Sequence, residues 1–245
     1  MEKRLNRYGQ VSGFVIFAIL IAGIILIFFL FRTGSFQNIK VNPVALPVYN
    51  YVDACVKETG KTSLYDIGQS GGYFINPEIS LNSIAVYFDR GDNYIPSKEK
   101  IQEELALYMN NILFFCVKGF SNFPDFDVSQ DEIKTSAKIE NNRVVFDIVY
   151  PISVTKNGKT YAFEKFSAEV PVRLGMIYNV SEKIIQEQMK NLKDICLTCL
   201  SRIAFENDLF IDMADYENDS VLFVISDENS KINGKEYKFY FINKY

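Results

Sequence analysis

The chain contains four cysteines, which are the residues whose type and spacing most readily suggest chemistry. Cys196 and Cys199 are separated by two residues, the spacing of redox-active pairs. Such a pair works best at a helix N-terminus, where the helix dipole lowers the pKa of the thiol. The helical pattern described below predicts instead that both lie mid-helix on an apolar stripe, which favours a role as small core residues.

Cys55 and Cys116 are far apart in the sequence and are expected on separate helices. We predict that they form a disulfide. Closing a loop of about 60 residues would stabilise the fold by roughly 4 kcal/mol in the chain-entropy model. A zinc site built from all four cysteines would require three distant segments to converge.

Acidic side chains are the second group that could carry out chemistry. Carboxylates alternate from Asp212 to Asp219 as in a calcium loop, but Ser220 occupies the position where that loop requires glycine. We therefore predict a solvated turn between two strands. Four further carboxylates could serve a glycosidase, although nothing in the sequence sets the distances between them. They are Asp125, Asp127, Asp131 and Glu132.

The chain contains no histidine. This excludes serine and cysteine hydrolases that depend on histidine, and most catalytic zinc sites. The sequence also has no phosphate-binding loop and no dinucleotide-binding fingerprint. We therefore predict no catalytic residues, no cofactor and no metal, and a protein that is not an enzyme.

The charge is unevenly distributed along the chain. Residues 1–33 contain four basic side chains and one acidic, which leaves 22 basic against 29 acidic side chains over residues 34–245. A domain with this acidic excess repels polyanions. We therefore predict no nucleic-acid partner.

The elements that must position these groups indicate an α+β fold, with antiparallel strands packed against two long helices. Apolar spacing predicts the long helices at 98–118, with Ser97 as N-cap, and at 181–205. Shorter helices are predicted at 47–57, ended by Gly60, and at 63–69. Strands are predicted at 84–88, 133–139, 143–154, 161–172, 209–213, 221–225 and 237–242, with Asn157-Gly158 and Asn233-Gly234 as hairpin turns.

An uncharged apolar run covers residues 11–31. As a helix it would span roughly 30 Å, the thickness of a hydrocarbon core. It ends in two phenylalanines, Leu30, Phe31 and Arg32, a poor context for signal-peptide cleavage, so we expect it to be retained. The predicted organisation is a cytoplasmic tail at 1–10, a transmembrane helix at 11–31, a linker at 32–47 and an extracytoplasmic domain at 48–245.

The orientation follows from charge and from sequence motifs. Three basic residues precede the apolar run and two follow it before residue 41. Asn179 and Asn218 each begin a glycosylation sequon, and all four cysteines lie in the domain. We expect the N-terminus in the cytoplasm, the domain outside the cell and the lipid bilayer in contact with residues 11–31.

Residues 7–12 run directly into the apolar stretch and resemble the class III, type IV prepilin-like signal of archaeal surface proteins. The resemblance implies a membrane peptidase that cuts between Gly9 and Gln10. Phe14 stands where prepilins often carry glutamate, and Pro43 and Pro47 interrupt the long spine helix of a pilin. The remainder of the chain looks like uncharacterised single-pass proteins of small-genome archaea, and that likeness implies no activity.

Three hypotheses follow. The first is a membrane-anchored cell-surface protein of structural, adhesion or partner-binding type, acting on an unknown envelope or protein partner. The second is a pilin-like subunit cleaved between Gly9 and Gln10. The third is an envelope enzyme that uses carboxylates alone.

The N-terminus of the mature chain separates an ordinary anchor from a processed one. An ordinary anchor predicts that the membrane-extracted protein begins at Met1, whereas prepilin-like processing predicts that it begins at Gln10. Intact mass spectrometry with sequencing of the N-terminal peptide distinguishes the two. A start elsewhere, beyond residue 31, would contradict both.

Overall fold

A computed structural model describes residues 20–21, 41–217 and 219–245. Residues 1–10, most of the predicted transmembrane helix, and the junction of Gly9 with Gln10 lie outside the described residues. Val41–Tyr245 form one compact unit. In the described part of the chain, no helix has the length and apolar character needed to cross a bilayer.

The first helix, α1, runs without a break over Leu46–Gln69, with Pro47 in its first turn. The prediction of two shorter helices separated at Gly60 is therefore wrong. Gly60 is buried, and a side chain there would meet the ring of Phe146 at 3.4 Å. The glycine therefore allows close packing and does not end the helix.

The second helix, α2, covers Lys98–Val117 and confirms the first predicted long helix. The Ser97 side chain accepts a hydrogen bond from the amide of Lys100, so the predicted N-cap is confirmed. The structure pairs Cys55 of α1 with Cys116 of α2 as a disulfide.

The predicted helix at 181–205 is wrong as a single element. The structure contains two helices, α3 at Leu174–Lys190 and α4 at Leu197–Asn207, joined by residues 191–196. The side-chain amide of Gln188 donates to the carbonyl of Asn191 at 2.6 Å, and Asn191 itself is extended, so the backbone leaves the helix there. The described residues thus contain four helices: the two short predicted helices are joined in α1, and the second long one is divided into α3 and α4.

The strands form two sheets. The first contains β1 (Ser80–Leu81), β2 (Ile84–Asp89), β3 (Asp92–Asn93), β8 (Phe210–Tyr216), β9 (Ser220–Ile232) and β10 (Lys235–Lys244), in the order β1-β2-β10-β9-β8 with β3 on β2. The second contains β4 (Asp127–Gln130), β5 (Lys134–Ile139), β6 (Val144–Lys156) and β7 (Lys159–Val170). Because β7 pairs with β6 along most of its length, β4 and β5 share the other edge of β6.

The sequence predicts antiparallel strands only, and one pair of strands does not follow that prediction. β2 and β10 run parallel, with Val86 beside Ile242. The hairpin turns were predicted correctly: Asn157-Gly158 joins β6 to β7, Asn233-Gly234 joins β9 to β10, and all four residues have positive φ. The fold is therefore mixed α+β.

Helix α1 packs against both sheets, through β7 on one side and β10 on the other. At Gly68 the backbone of α1 approaches β10 so closely that a Cβ would lie 2.8 Å from the carbonyl oxygen of Lys238. Tyr237, Phe239 and Phe241 alternate onto the buried side of β10. These three aromatic residues therefore belong to the core.

Two alanine substitutions within α1 should have opposite effects. Gly60→Ala adds a methyl group at ordinary contact distance and improves helix propensity, so the free energy of unfolding should stay unchanged or rise by up to about 1 kcal/mol. Gly68→Ala forces α1 away from β10 and should lower it by roughly 1 to 3 kcal/mol. Urea unfolding followed by circular dichroism measures both, and equal effects would contradict the packing described here.

Candidate functional site

The structure places the sequence candidates in separate parts of the domain. Asn179 is exposed on α3, and its side-chain oxygen accepts from Lys98 Nζ at 3.5 Å. The hydroxyl of Ser181, in the same sequon, is buried and donates to the carbonyl of Ile177. Asn218, Gly9 and Gln10 lie outside the described residues.

The acidic candidates all lie at the surface. Asp125, Asp127, Asp131 and Glu132 are exposed at and around β4. Asp212 and Asp215 are exposed along β8, so the predicted turn begins only at Glu217. Within residues 41–217 and 219–245, no three acidic or cysteine side chains form a group that could hold a metal ion.

One surface depression has a volume of about 430 Å³ and lies beside the end of α1. Tyr65 and Gln69 of α1 and Lys238 and Tyr240 of β10 form much of its wall. Lys238 Nζ lies 2.8 Å from Glu236 Oε1, so these two charges largely neutralise each other. The depression is open to solvent and presents few groups positioned for chemistry.

The second cysteine pair lies at the N-terminus of α4, and the two sulfurs are joined in the structure. Cys196 is the N-cap residue, and its sulfur accepts a hydrogen bond from the amide of Cys199 at 3.3 Å. Both residues are partly exposed. The prediction that the pair lies mid-helix among core residues is therefore wrong, because the chain leaves the helix at residue 191 and begins a new one at Leu197.

Helix α4 is held to the domain by a narrow apolar contact. Leu200 and Ile203 are its only buried residues. Leu197 and Phe205, two turns apart on the other side of the helix, are 59% and 89% exposed. An almost fully exposed phenylalanine contributes little to folding and leaves a large apolar side chain in contact with water.

The C-terminus of α4 is fixed by a polar cluster centred on Arg173. The guanidinium of Arg173 donates to the backbone carbonyl of Asp208 at 2.8 Å and to that of Asn207 at 3.4 Å. It also donates from Nε to a carboxylate oxygen of Asp227 at 2.9 Å. A cation at the last carbonyls of a helix also interacts favourably with the helix dipole. The cluster therefore attaches the end of α4 to β9.

Asp227 is fully buried and is the anion at the centre of this cluster. Burial alone would raise the pKa of its carboxyl, but hydrogen bonds from Arg173 and Ser230 outweigh burial and hold the pKa below its ordinary value. The Ser230 hydroxyl also accepts from the amide of Arg173 at 2.9 Å. Asn229 of β9 donates to the side chain of Asp208 at 2.6 Å, which gives a second connection between β9 and the C-cap residue of α4.

Exposed apolar side chains are concentrated in and around α4. Of the sixteen large exposed hydrophobic residues in the described chain, six fall between residues 189 and 213. We call residues 189–213 the α4 segment. Its exposed apolar residues are Met189, Leu192, Leu197, Phe205, Phe210 and Met213.

Sequence reasoning missed this segment because it treated 181–205 as one helix with its apolar residues directed at the core. The signal that could have revealed it is the pair Asn191 and Asp194, residue types that favour caps and turns over helix interiors.

Comparisons with known proteins return nothing for this chain. No protein-family model matches it, no curated protein matches it and no solved structure matches it.

The Arg173–Asp227 pair should contribute strongly to stability. Asp227→Asn leaves a largely buried guanidinium without its counter-charge and should lower the free energy of unfolding by about 3 kcal/mol. As a control, Glu206→Gln breaks the exposed pair with Arg202 and should cost about 0.5 kcal/mol or less.

The stability difference between wild type and Asp227→Asn should depend on pH in a defined direction. Since the folded chain lowers the pKa of Asp227, its stabilisation is complete above the unfolded pKa and is lost as pH falls through the lower folded value. The difference between wild type and Asp227→Asn should therefore shrink below about pH 4. Urea unfolding at pH 7, 4 and 3 measures it, and a difference that grows on acidification would contradict the assignment.

Proposed function

We propose that this chain is a membrane-anchored cell-surface protein that binds another envelope protein through the α4 segment. Residues 11–31 would hold the chain in the bilayer with the N-terminus in the cytoplasm, and the domain would face outward. The observation that carries the binding role is the exposure of Phe205, together with five further exposed apolar side chains within residues 189–213.

The energetics favour a partner at this surface. Burying a phenylalanine side chain contributes about 1.5 to 3 kcal/mol, and residues 189–213 expose five further large apolar side chains. Concentrated apolar exposure on a domain is typical of protein-interaction sites. Aromatic side chains are frequent among the residues that dominate binding energy.

The rigid attachment of α4 strengthens the proposal. Arg173 and Asp227 hold the C-terminus of the helix, and Leu200 with Ile203 hold its inner face. A surface held in one conformation loses little entropy when a partner binds. The acidic side chains Asp212 and Asp215 on the outermost strand β8 discourage nonspecific pairing of strand edges.

Photo-crosslinking tests the role of Phe205. A photoreactive phenylalanine analogue is placed at position 205 of the full chain, or at position 115 as a control, since Phe115 of α2 is 68% exposed but lies outside the α4 segment. With the cell-envelope fraction, position 205 should give one adduct of discrete mass and position 115 none.

Competition then shows whether the adduct reflects specific binding. Excess unlabelled full chain should suppress the adduct at 205, and excess Phe205→Ser chain should suppress it at least tenfold less well. The serine variant should keep its folding stability within about 0.5 kcal/mol because the side chain is exposed. Equal adducts at both positions, or equal competition by both chains, would reject the proposal.

A further inference from the structure

We propose that Cys196–Cys199 is a redox-active disulfide that oxidises pairs of protein thiols by thiol–disulfide exchange. This activity goes beyond partner binding and does not depend on it. The two disulfides differ sharply in their surroundings. Cys55 is buried between α1 and α2, whereas Cys196 and Cys199 are both partly exposed at the start of α4.

The N-terminus of α4 is suited to a thiolate at Cys196. The sulfur already accepts the amide hydrogen of Cys199 at 3.3 Å, and the hydroxyl of Thr198 lies 3.6 Å from it. Amide donors and the helix dipole favour the negatively charged sulfur over the neutral thiol. The first turn of α4 contains no acidic residue that would oppose this charge.

The reaction begins when a thiolate of the substrate attacks the sulfur of Cys196. A mixed disulfide forms, the Cys196–Cys199 bond breaks and Cys199 leaves as a thiolate that takes up a proton. The second substrate thiolate then attacks the substrate sulfur of the mixed disulfide and releases Cys196 as a thiolate. The substrate loses two electrons and gains a disulfide, and the cysteine pair gains two electrons. A low-molecular-weight disulfide reoxidises the pair and is itself reduced to two thiols.

The placement of Cys196 explains why it should be the sulfur released when the second substrate thiolate attacks the mixed disulfide. A sulfur whose thiolate is stabilised leaves faster from a mixed disulfide. Cys199 lies one turn into the helix and, in the reduced state, is placed to resolve a mixed disulfide on Cys196. The two cysteines thus have unequal roles.

The flanking residues indicate a protein substrate. Leu192 and Leu197, on either side of Cys196 in the chain, are 46% and 59% exposed. Exposed apolar side chains beside a reactive disulfide suit contact with a chain that has not yet buried its own apolar residues. The substrate class is therefore a reduced, incompletely folded protein or peptide with two cysteines.

The first experiment measures turnover with the full chain in detergent. The probe is an unstructured peptide containing two reduced cysteines, with glutathione disulfide as terminal oxidant. Wild type should accelerate peptide oxidation at least tenfold over the double variant Cys196→Ser, Cys199→Ala. That variant keeps a capping hydroxyl at the start of α4 and the Cys55–Cys116 disulfide, and its circular dichroism spectrum verifies that it is folded. No acceleration over the double variant overturns the proposal.

The second experiment tests the unequal roles, which a purely structural disulfide would not produce. In Cys199→Ala only Cys196 remains as a thiol in the pair, and in Cys196→Ser only Cys199 remains. Near pH 7, Cys196 should react with an aromatic disulfide reagent at least tenfold faster than Cys199. Equal rates, or a faster Cys199, overturn the proposal.

The activity can be separated from the proposed partner binding. Phe205→Ser should abolish crosslinking competition yet keep peptide oxidation within twofold of wild type, because Phe205 lies two turns from the cysteine pair along α4. Loss of peptide oxidation in this variant would overturn the assignment of the activity to the cysteine pair alone.

Discussion

The close approach of α1 to both sheets is the contact on which the rest of the domain depends. At Gly60 the helix lies against Phe146 and Ala168 of the second sheet, and Gly68 lets it lie against the backbone of β10 in the first. Few strands of one sheet contact strands of the other. The two sheets therefore need a helix between them to bury their apolar faces. The disulfide between Cys55 and Cys116 then joins α2 to α1. The core of the domain thus forms around one helix with two side-chain-free positions.

A second constraint links this core to the surface where we propose function. Arg173 and buried Asp227 fix the C-terminus of α4 to β9, which belongs to the sheet under α1. The cluster is costly to build because it removes a carboxylate from water, and its hydrogen bonds compensate for that cost. At the other end of α4 the cysteine pair is partly exposed and Leu197 is exposed. The α4 segment can therefore present both exposed apolar side chains and, at the start of α4, an accessible disulfide.

The elements that sequence reasoning predicted correctly are those determined by neighbouring residues. Ser97 caps α2 through a bond within one turn, and Asn157-Gly158 and Asn233-Gly234 adopt the positive φ angles that their hairpins require. The mixed α+β class followed from the same local patterns. The wrong predictions concern features that depend on contacts between residues far apart in the sequence. Gly60 has the local signature of a helix end, but α1 continues through it because the helix packs along Phe146 there. The parallel pairing of β2 with β10 joins strands that are far apart in the sequence.

The candidate site shows the same division. By itself the sequence determined the spacing of Cys196 and Cys199, the absence of histidine and the acidic excess of the domain, because these are properties of composition and order. Only the tertiary structure decided that the pair caps a new helix and that Phe205 points to solvent. The physical reason is that helical periodicity indicates which apolar residues share one face of a helix. It does not indicate whether another element covers that face. That depends on where Arg173 and Asp227 fasten α4, through contacts between residues more than fifty positions apart in the chain.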